Sequence, residues 1–470
     1  MDTSTATRSR TAFLGSEALF PLLLKMGLPA AIAMLVNALY NIVDTIFVGQ
    51  GVGPLAIAAL TIVFPIQMIV SALAQGLGVG AASIVSRKLG ERREEEAART
   101  IGTTYAAVGL VTLALVLLLM AFMDPVLAFF GASGEVMPYA REYLGVVAPG
   151  FFFFAASMAA SALVRAEGNA KASMTGMLIG ALLNCALDPL FILGFGWGVW
   201  GAALATVISQ VASCAYLLSL YLGKKTHVRL SPADFRIRPR ILADCALLGT
   251  PAFIQSAGMS LLALLVNTGL GRMGGDEPIS IYGMTHKLNT LVIFPILGIA
   301  QGFQPIVGYN YGARDFARVR GAIRVAVLTV LAIAFACYAV LMLFPEAAMG
   351  LFSTDDRLVA KAAGVLRKMA LFIPLAALQI LGSTYFQAIG KRTQALILGI
   401  SRQFLVLIPL VLLLPLLLGI DGIWWAFPLA DLVAATITIA LLARELRHLG
   451  RAGAAEPARP IPGGFEVELP

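Results

Sequence analysis

The segment NALYNIVDTIFVG, Asn37–Gly49, places one carboxylate inside a run that is otherwise apolar. Its polar side chains recur at i, i+3, i+4 and i+7, so they share one face of a helix. They are Asn37, Tyr40, Asn41 and Asp44. Ionisable groups within membrane segments are rare and face protein or a water-filled cavity. The segment therefore predicts a membrane helix that turns a polar face toward a protein-lined cavity.

The composition of the whole chain indicates a polytopic membrane protein. Of its 470 residues, 59% are hydrophobic and 13% are charged, whereas soluble domains carry about 25% charged residues. Apolar runs of about 20 residues, the length that crosses a bilayer, occur twelve times. They lie near residues 19–48, 54–82, 100–122, 138–162, 171–193, 199–222, 241–270, 278–304, 321–344, 361–389, 395–417 and 420–443. The predicted fold class is an all-α membrane protein of twelve transmembrane helices.

The basic residues predict how the chain is oriented. The formal net charge is +8, but Lys and Arg occur in short segments between apolar runs instead of one polar patch, which argues against nucleic acid as a partner. They concentrate in the loops after the second, sixth and eighth spans, which lie on one side of the membrane. Because basic loops stay in the cytoplasm, we expect a multi-pass protein of the cytoplasmic (inner) membrane with both termini cytoplasmic.

The chain also repeats itself. GLPA begins at Gly27 and GTPA at Gly249 (249 − 27 = 222), and the same offset pairs glycines and arginines elsewhere. With six spans each, the two halves enter the membrane in the same direction, so a pseudo-two-fold axis along the membrane normal should relate them. The predicted regions are a cytoplasmic N-terminus (1–18), an N-terminal six-helix lobe (19–222), a cytoplasmic basic linker (223–240), a C-terminal six-helix lobe (241–443) and a cytoplasmic disordered tail (444–470).

Polar residues of separate spans are predicted to meet in the N-terminal lobe. Counting residues from the span ends puts four of them at one depth: Asp44, Tyr143, Asp188 and Thr206. In LLNCALDP, Asn184 and Asp188 are four residues apart and share a helix face. Two carboxylates in an apolar cavity do not both ionise readily, so they would hold a proton or surround a cation. The residue types leave both choices open.

Several motifs resemble those of the multidrug and toxic compound extrusion (MATE) transporters, especially the prokaryotic branch with a cation site in its N-terminal lobe. They are YNIVDTIFVG, QGLGVGAASIVSRKLGE, LLNCALDPLFI, GAALATVISQ and FQPIVGYNYGAR. The resemblance implies drug export coupled to entry of H⁺ or Na⁺. It also implies a helix bend at Pro29. The implied cation-coupling residues are Asp44, Asn184, Asp188, Thr206 and Tyr40, and all but the tyrosine are candidate Na⁺ ligands.

Other polar residues are candidates for the substrate cavity. They are Asn37, Asn41, Tyr143, Gln210, Lys287 and Asp431. Asp431 occupies roughly the repeat position of Gln210, and it either lines the cavity or is satisfied by neighbouring helices. Lys287 lies deep in the eighth span, where it either snorkels or acts on a charged substrate. The seventh span has no acid between Phe253 and Leu270, so the coupling site is assigned to the N-terminal lobe.

The predicted function is a secondary active antiporter that exports lipophilic, often cationic xenobiotics by alternating access. Such a protein needs no cofactor beyond its coupling ion, contacts membrane lipids and is expected to be monomeric. A lipid-linked precursor flippase of the same superfamily would need a cavity rich in Arg and Lys, yet the deep cations are Lys287 and Arg402. A membrane enzyme is disfavoured because the three histidines, His227, His286 and His448, are scattered. A non-transporting receptor stays open.

Overall fold

The computed structural model describes residues 11–132, 134–223 and 225–455, which contain helices and loops but no strand. Helices suit a bilayer because they satisfy their own backbone hydrogen bonds. The first half contains α1 (Phe13–Ser16), α2 (Leu19–Gly51), α3 (Pro54–Gly90), α4 (Glu94–Ala121), α5 (Met123–Phe129), α6 (Val136–Ala166), α7 (Ala170–Pro189) and α8 (Gly198–Leu222). The second half contains α9 (Pro239–Gly274), α10 (Asp276–Gly312), α11 (Phe316–Leu343), α12 (Pro345–Gly350), α13 (Asp356–Met369), α14 (Ile373–Ala388), α15 (Arg392–Ile400), α16 (Ile408–Leu413), α17 (Pro415–Leu418) and α18 (Ile420–Ala455).

The predicted number of membrane spans is confirmed. Eleven helical segments in the described part of the chain are long and apolar enough to cross a bilayer. The pair α13 and α14, bent by 48° at a short break, supplies the twelfth if it is one span. Two π-helical turns interrupt the spans, one at Leu190–Gly194 after α7 and one at Ser401–Leu407 after α15.

Glycines at repeated positions join the two halves. A side chain at Gly302 would collide with the backbone of Gly27, and one at Gly80 would collide with the backbone of Gly249. These two contacts are repeat mates, since 27 + 222 = 249 and 80 + 222 = 302. Small residues allow such close packing between membrane helices. The contacts between the two halves therefore occur as a symmetric pair, as the predicted pseudo-two-fold axis requires.

The loops repeat as well. Arg92 and Arg314, 222 residues apart, are the non-glycine residues with positive φ in the described chain, each at 62°. Gly168 and Gly390, at the same offset, have φ of 91° and 79°. A left-handed conformation is uncommon for arginine, so its recurrence at matched positions shows that the duplication extends to backbone geometry.

A buried carboxylate anchors the linker that joins the halves. Glu167, in the loop between α6 and α7, accepts hydrogen bonds from the Tyr221 hydroxyl at 2.8 Å and from the backbone N–H groups of His227 and Val228 at 2.8 and 3.0 Å. Burial raises the pKa of Glu167 from 4.5 to about 7. The start of the linker is thus packed onto the N-terminal lobe.

The predicted disordered tail begins too early. Helix α18 continues to Ala455, well past residue 444. The extension is held by the side chain of Leu449, which is 1% exposed, and by a 2.5 Å ion pair between Glu445 and Lys391. Ordering follows because these residues bury apolar area and pair a charge. Residues 456–470 lie outside the described residues.

Candidate functional site

A hydrogen-bonded group of side chains lies at the centre of the first half. The Asn184 Nδ2 amide donates to Asp188 Oδ1 at 3.1 Å and to Thr206 Oγ1 at 3.4 Å. Asn184 and Asp188 are 2% and 0% exposed. Helical spacing places Asn184 and Asp188 on one face of α7, and Thr206 belongs to α8. The structure thus joins three of the residues that the sequence singled out.

The second carboxylate lies against the first. The side chains of Asp44 and Asp188 interact directly, although they belong to α2 and α7. Tyr143, from α6, is 6% exposed; it interacts with the side chain of Thr206 and lies near Asp44, Asp188 and Tyr40. Four helices therefore contribute to one polar cluster, as the matched depths predicted.

The cluster contains acceptor oxygens that nothing satisfies. Asp44 Oδ1, Asn184 Oδ1 and Asp188 Oδ2 are buried and have no hydrogen-bond partner. Leaving a buried polar atom unpaired costs about 1–3 kcal/mol. A proton shared by the carboxylates would turn an acceptor into a donor, and a small cation would take oxygen ligands. The unpaired oxygens therefore fit a site that binds H⁺ or Na⁺.

The backbone after Asp188 is irregular. Pro189 ends α7, and the chain continues directly into the π turn Leu190–Gly194. Proline lacks a backbone N–H and disturbs the helical hydrogen-bond pattern. Isolated π turns occur frequently at functional sites. Here the turn begins two residues after the buried carboxylate.

A cavity of about 430 Å³ lies beside the cluster. Five predicted residues line it: Asn37, Tyr40, Asn184, Thr206 and Gln210. Its apolar wall includes Phe64, Met68, Phe154, Met158, Met177 and Phe294. Flexible methionines and aromatic rings can adapt to apolar ligands of different shape. Neither Asp44 nor Asp188 belongs to the described lining, so both carboxylates stand behind the cavity wall formed by Asn184, Thr206 and Tyr40.

The cavity is closed at one end, toward the face that carries the loops 91–93 and 313–315, hereafter the basic face. There the glycine contacts bring the halves together, and Gln304 Nε2 of α10 donates to the Val79 carbonyl of α3 at 3.3 Å. Arg165, near the end of α6, lines the cavity at this end. Arg165 is not among the residues predicted above, although Ser157, Ser161 and Arg165 form a stripe at i, i+4 and i+8.

The other residues that were predicted to line the cavity or to bend a helix are not among the described lining residues. Asp431 is 3% exposed and pairs with Arg402 Nε at 2.6 Å, so it is satisfied by a neighbouring helix and does not belong to the described cavity lining. Lys287 is exposed and stands seven residues before Phe294, on the same face of α10. Pro29 is buried within the continuous helix α2. The side chain of Asn41 lies outside the described residues.

Comparison with known proteins identifies the family. The sequence model of the MatE family matches residues 29–190 and again 251–413, two segments whose starts are 222 residues apart. The chain belongs to the MatE family. It is a multi-pass membrane transporter and not an enzyme, and the double match coincides with the internal repeat. Among the described residues, no group of three or more His, Cys, Asp or Glu side chains is arranged to hold a metal ion.

Relatives cover nearly the whole of this MatE chain. The multidrug export protein MepA of Staphylococcus aureus (strain MRSA252) is 28% identical over 418 residues, which are 88% of this chain and 92% of MepA. A crystal structure of MATE in complex with MaL6 superposes with a TM-score of 0.88 at 28% identity, covering 94% of this chain and 100% of that one. An outward-facing multidrug resistance MATE family transporter of the MOP superfamily gives 0.87 at 28% identity, covering 94% and 99%.

Proposed function

We propose that this chain is a secondary active multidrug efflux antiporter, which exports lipophilic, often cationic compounds in exchange for H⁺ or Na⁺. The observation that carries the proposal is the set of unpaired oxygens on Asp44, Asn184 and Asp188 directly behind the cavity wall. Multidrug export by a relative such as MepA supports the same class of cargo.

Coupling follows from the shared residues of the two sites. Asn184 and Thr206 belong both to the cavity wall and to the polar cluster. A cation that binds between Asp44 and Asp188 neutralises their charge and interacts with the side chain of Asn184. The part of the cavity wall that contacts a bound substrate is therefore altered. A ligand shifts a conformational equilibrium only if it binds the two states differently. Shared wall residues provide that difference for both ligands.

The cavity closed at the basic face is one of two forms that alternating access requires. The close glycine contacts between α2 and α10 and between α3 and α9 would separate when the cavity opens to the basic face, while the opposite ends of the helices approach. Bending of α2 near Pro29 is the proposed local adjustment, because proline weakens helix geometry at its position. Substrate would enter from the cytoplasm, with both termini on that side of the cytoplasmic membrane. The protein is proposed to act as a monomer surrounded by lipid.

The described cavity lining does not favour a lipid-linked precursor flippase. It contains one charged side chain, Arg165, whereas a pyrophosphate group calls for several cations. A receptor that binds compounds without moving them has the same cavity, and transport must therefore be measured directly.

The test uses purified protein in proteoliposomes and the fluorescent cation rhodamine 123. A pH gradient and a Na⁺ gradient are imposed separately, and dye accumulation is followed. Accumulation driven by one gradient, together with dye-dependent dissipation of that gradient, is the expected result. Dye binding without accumulation under either gradient would identify a receptor and refute the proposed function.

A further inference from the structure

The cavity ends on a buried arginine. Arg165 is 9% exposed and lines the cavity at its closed end. Its Nη1 donates to Ser173 Oγ at 2.9 Å, and Ser173 Oγ is 2.7 Å from Ser161 Oγ. The serines fix one edge of the guanidinium, which has five N–H donors in all. The remaining donors are available on the side of the cavity.

In the described part of the chain, no counter-charge accompanies this arginine. Among the described residues, no carboxylate forms a salt bridge with Arg165, and the described cavity lining contains no Asp or Glu. Two other partly buried basic side chains are paired with a carboxylate, Lys391 with Glu445 and Arg402 with Asp431. Burying an unpaired charge is expensive. The closed end of the cavity therefore favours the binding of an anionic group.

The cavity also has opposite polarity at its two ends. Asp44 and Asp188 stand behind the wall near Asn184, while Arg165 faces the other end. Asn184 and Ser173, which mark those ends on α7, are eleven residues apart, or about 16 Å at 1.5 Å per residue. A lipophilic molecule with separated positive and negative groups would match both ends. A molecule with a positive charge alone would be repelled from the closed end.

We propose that Arg165 forms a subsite for a carboxylate, or a similar anionic group, on the transported compound. Paired N–H donors of a guanidinium bind both oxygens of a carboxylate in one plane. Ser157 and Ser161 line the same cavity, where their hydroxyls bond the Phe154 carbonyl and Ser173 Oγ. This inference rests on the proposed function and assigns one residue of the cavity to the binding of an anionic group on the transported compound.

A matched pair of dyes isolates the anionic group. Rhodamine 110 is a zwitterion with a free carboxylate, and rhodamine 123 is its cationic methyl ester. Affinities of both dyes are measured by fluorescence anisotropy on the purified full chain in nanodiscs. We expect Arg165→Gln to shift the affinity ratio toward the ester by about tenfold or more. Arg165→Lys, which keeps the charge without the planar pair of donors, should give an intermediate ratio.

Lys171→Gln is the matched control, because Lys171 is exposed on α7 close to the same face and outside the cavity lining. It removes one positive charge and should leave the ratio unchanged. An Arg165→Gln protein that alters both affinities by the same factor, or neither, contradicts the subsite and leaves Arg165 a structural role.

The wild-type protein provides a test that needs no variant. It should bind rhodamine 110 at least as tightly as rhodamine 123, and a preference of more than tenfold for the ester overturns the inference. Arg165-dependent binding of rhodamine 110 without accumulation of either dye would refute the transport function and keep the subsite. Binding of neither dye contradicts both.

Discussion

Asn184 Nδ2 donates to Asp188 Oδ1 at 3.1 Å, while Asp188 Oδ2 and Asn184 Oδ1 are buried without a partner. This amide links the cavity to the carboxylates through a hydrogen bond, because Asn184 also lines the cavity. In the proposed antiport, one residue would therefore contact both the cation and the transported compound.

Removing that amide should impair transport. Asn184→Ala leaves Asp188 without its donor, and such a loss costs about 1–3 kcal/mol. We expect the initial rate of gradient-driven rhodamine 123 accumulation to fall by about tenfold. Thr175→Ala deletes another polar group of α7, whose hydroxyl bonds the Lys171 carbonyl, and serves as control. Wild-type rates in Asn184→Ala would show that the amide is dispensable.

The linker should detach from the N-terminal lobe as pH rises. Burial raises the pKa of Glu167 from 4.5 to about 7, so the packed linker favours the neutral carboxyl. The resulting stabilisation is complete below pH 4.5 and is lost as pH rises through about 7. Its upper limit is about 3 kcal/mol, from 1.36 kcal/mol for each pKa unit.

Hydrogen exchange at the amides of His227 and Val228 measures this detachment. After correction for intrinsic rates, protection should decrease between pH 5 and pH 8. Glu167→Gln, which stays neutral, should remove the pH dependence. A pH-independent protection in the wild type would mean that Glu167 does not control the linker.

Contacts at Gly80 should hold the basic face closed. A side chain there would collide with the Cys245 carbonyl and crowd the Gly249 backbone, and overpacking of this kind costs about 1–3 kcal/mol. Gly80→Val should therefore favour the form open to the basic face. A cysteine at Ser161, in a background without the native cysteines, should then react faster with an impermeant maleimide added from that face.

Gly283→Ala is the control, because a methyl group at Gly283 meets no atom within 4 Å. It should leave labelling unchanged. Equal labelling of the Gly80→Val and Gly283→Ala proteins would show that the contacts at Gly80 do not hold the basic face closed.

Removing one partner of the Arg402–Asp431 pair should destabilise the protein more than removing both. Asp431 is almost fully buried, and breaking a buried pair by removing one partner costs about 3–5 kcal/mol, whereas replacing both partners is often neutral. Arg402→Met alone should lower the thermal unfolding midpoint clearly. The double variant Arg402→Met, Asp431→Leu should recover most of the loss. An equal loss in the double variant would contradict this view of the pair.

Local spacing predicted the parts of the site that lie on one helix. Asn184 and Asp188 are four residues apart, and helical geometry alone brings them together. The constant offset of 222 predicted the pseudo-two-fold axis, and the glycine contacts of the structure follow that symmetry. In contrast, Arg402 and Asp431 lie on different helices of the second half, and their contact depends on packing that periodicity does not encode.

Arg165 was missed for a different reason. It stands beside the loop that begins at Glu167, where an arginine ordinarily sets membrane topology or meets lipid headgroups. Only the fold shows that the end of α6 faces inward, so that its guanidinium closes a cavity. The serine stripe that leads to it was the available signal. The end of α18 was also misjudged, because an ion pair between distant residues orders it.

The most direct test of coupling at Asp44 and Asp188 compares gradient-driven transport with binding. Asp44→Asn and Asp188→Asn proteins are reconstituted in proteoliposomes, with Asp124→Asn, an exposed carboxylate paired to Arg141, as control. Both cluster variants should bind rhodamine 123 in nanodiscs yet accumulate none in response to the pH or Na⁺ gradient that drives the wild type. If either variant accumulates the dye at the wild-type rate and with the wild-type response to the gradient, coupling at Asp44 and Asp188 is contradicted.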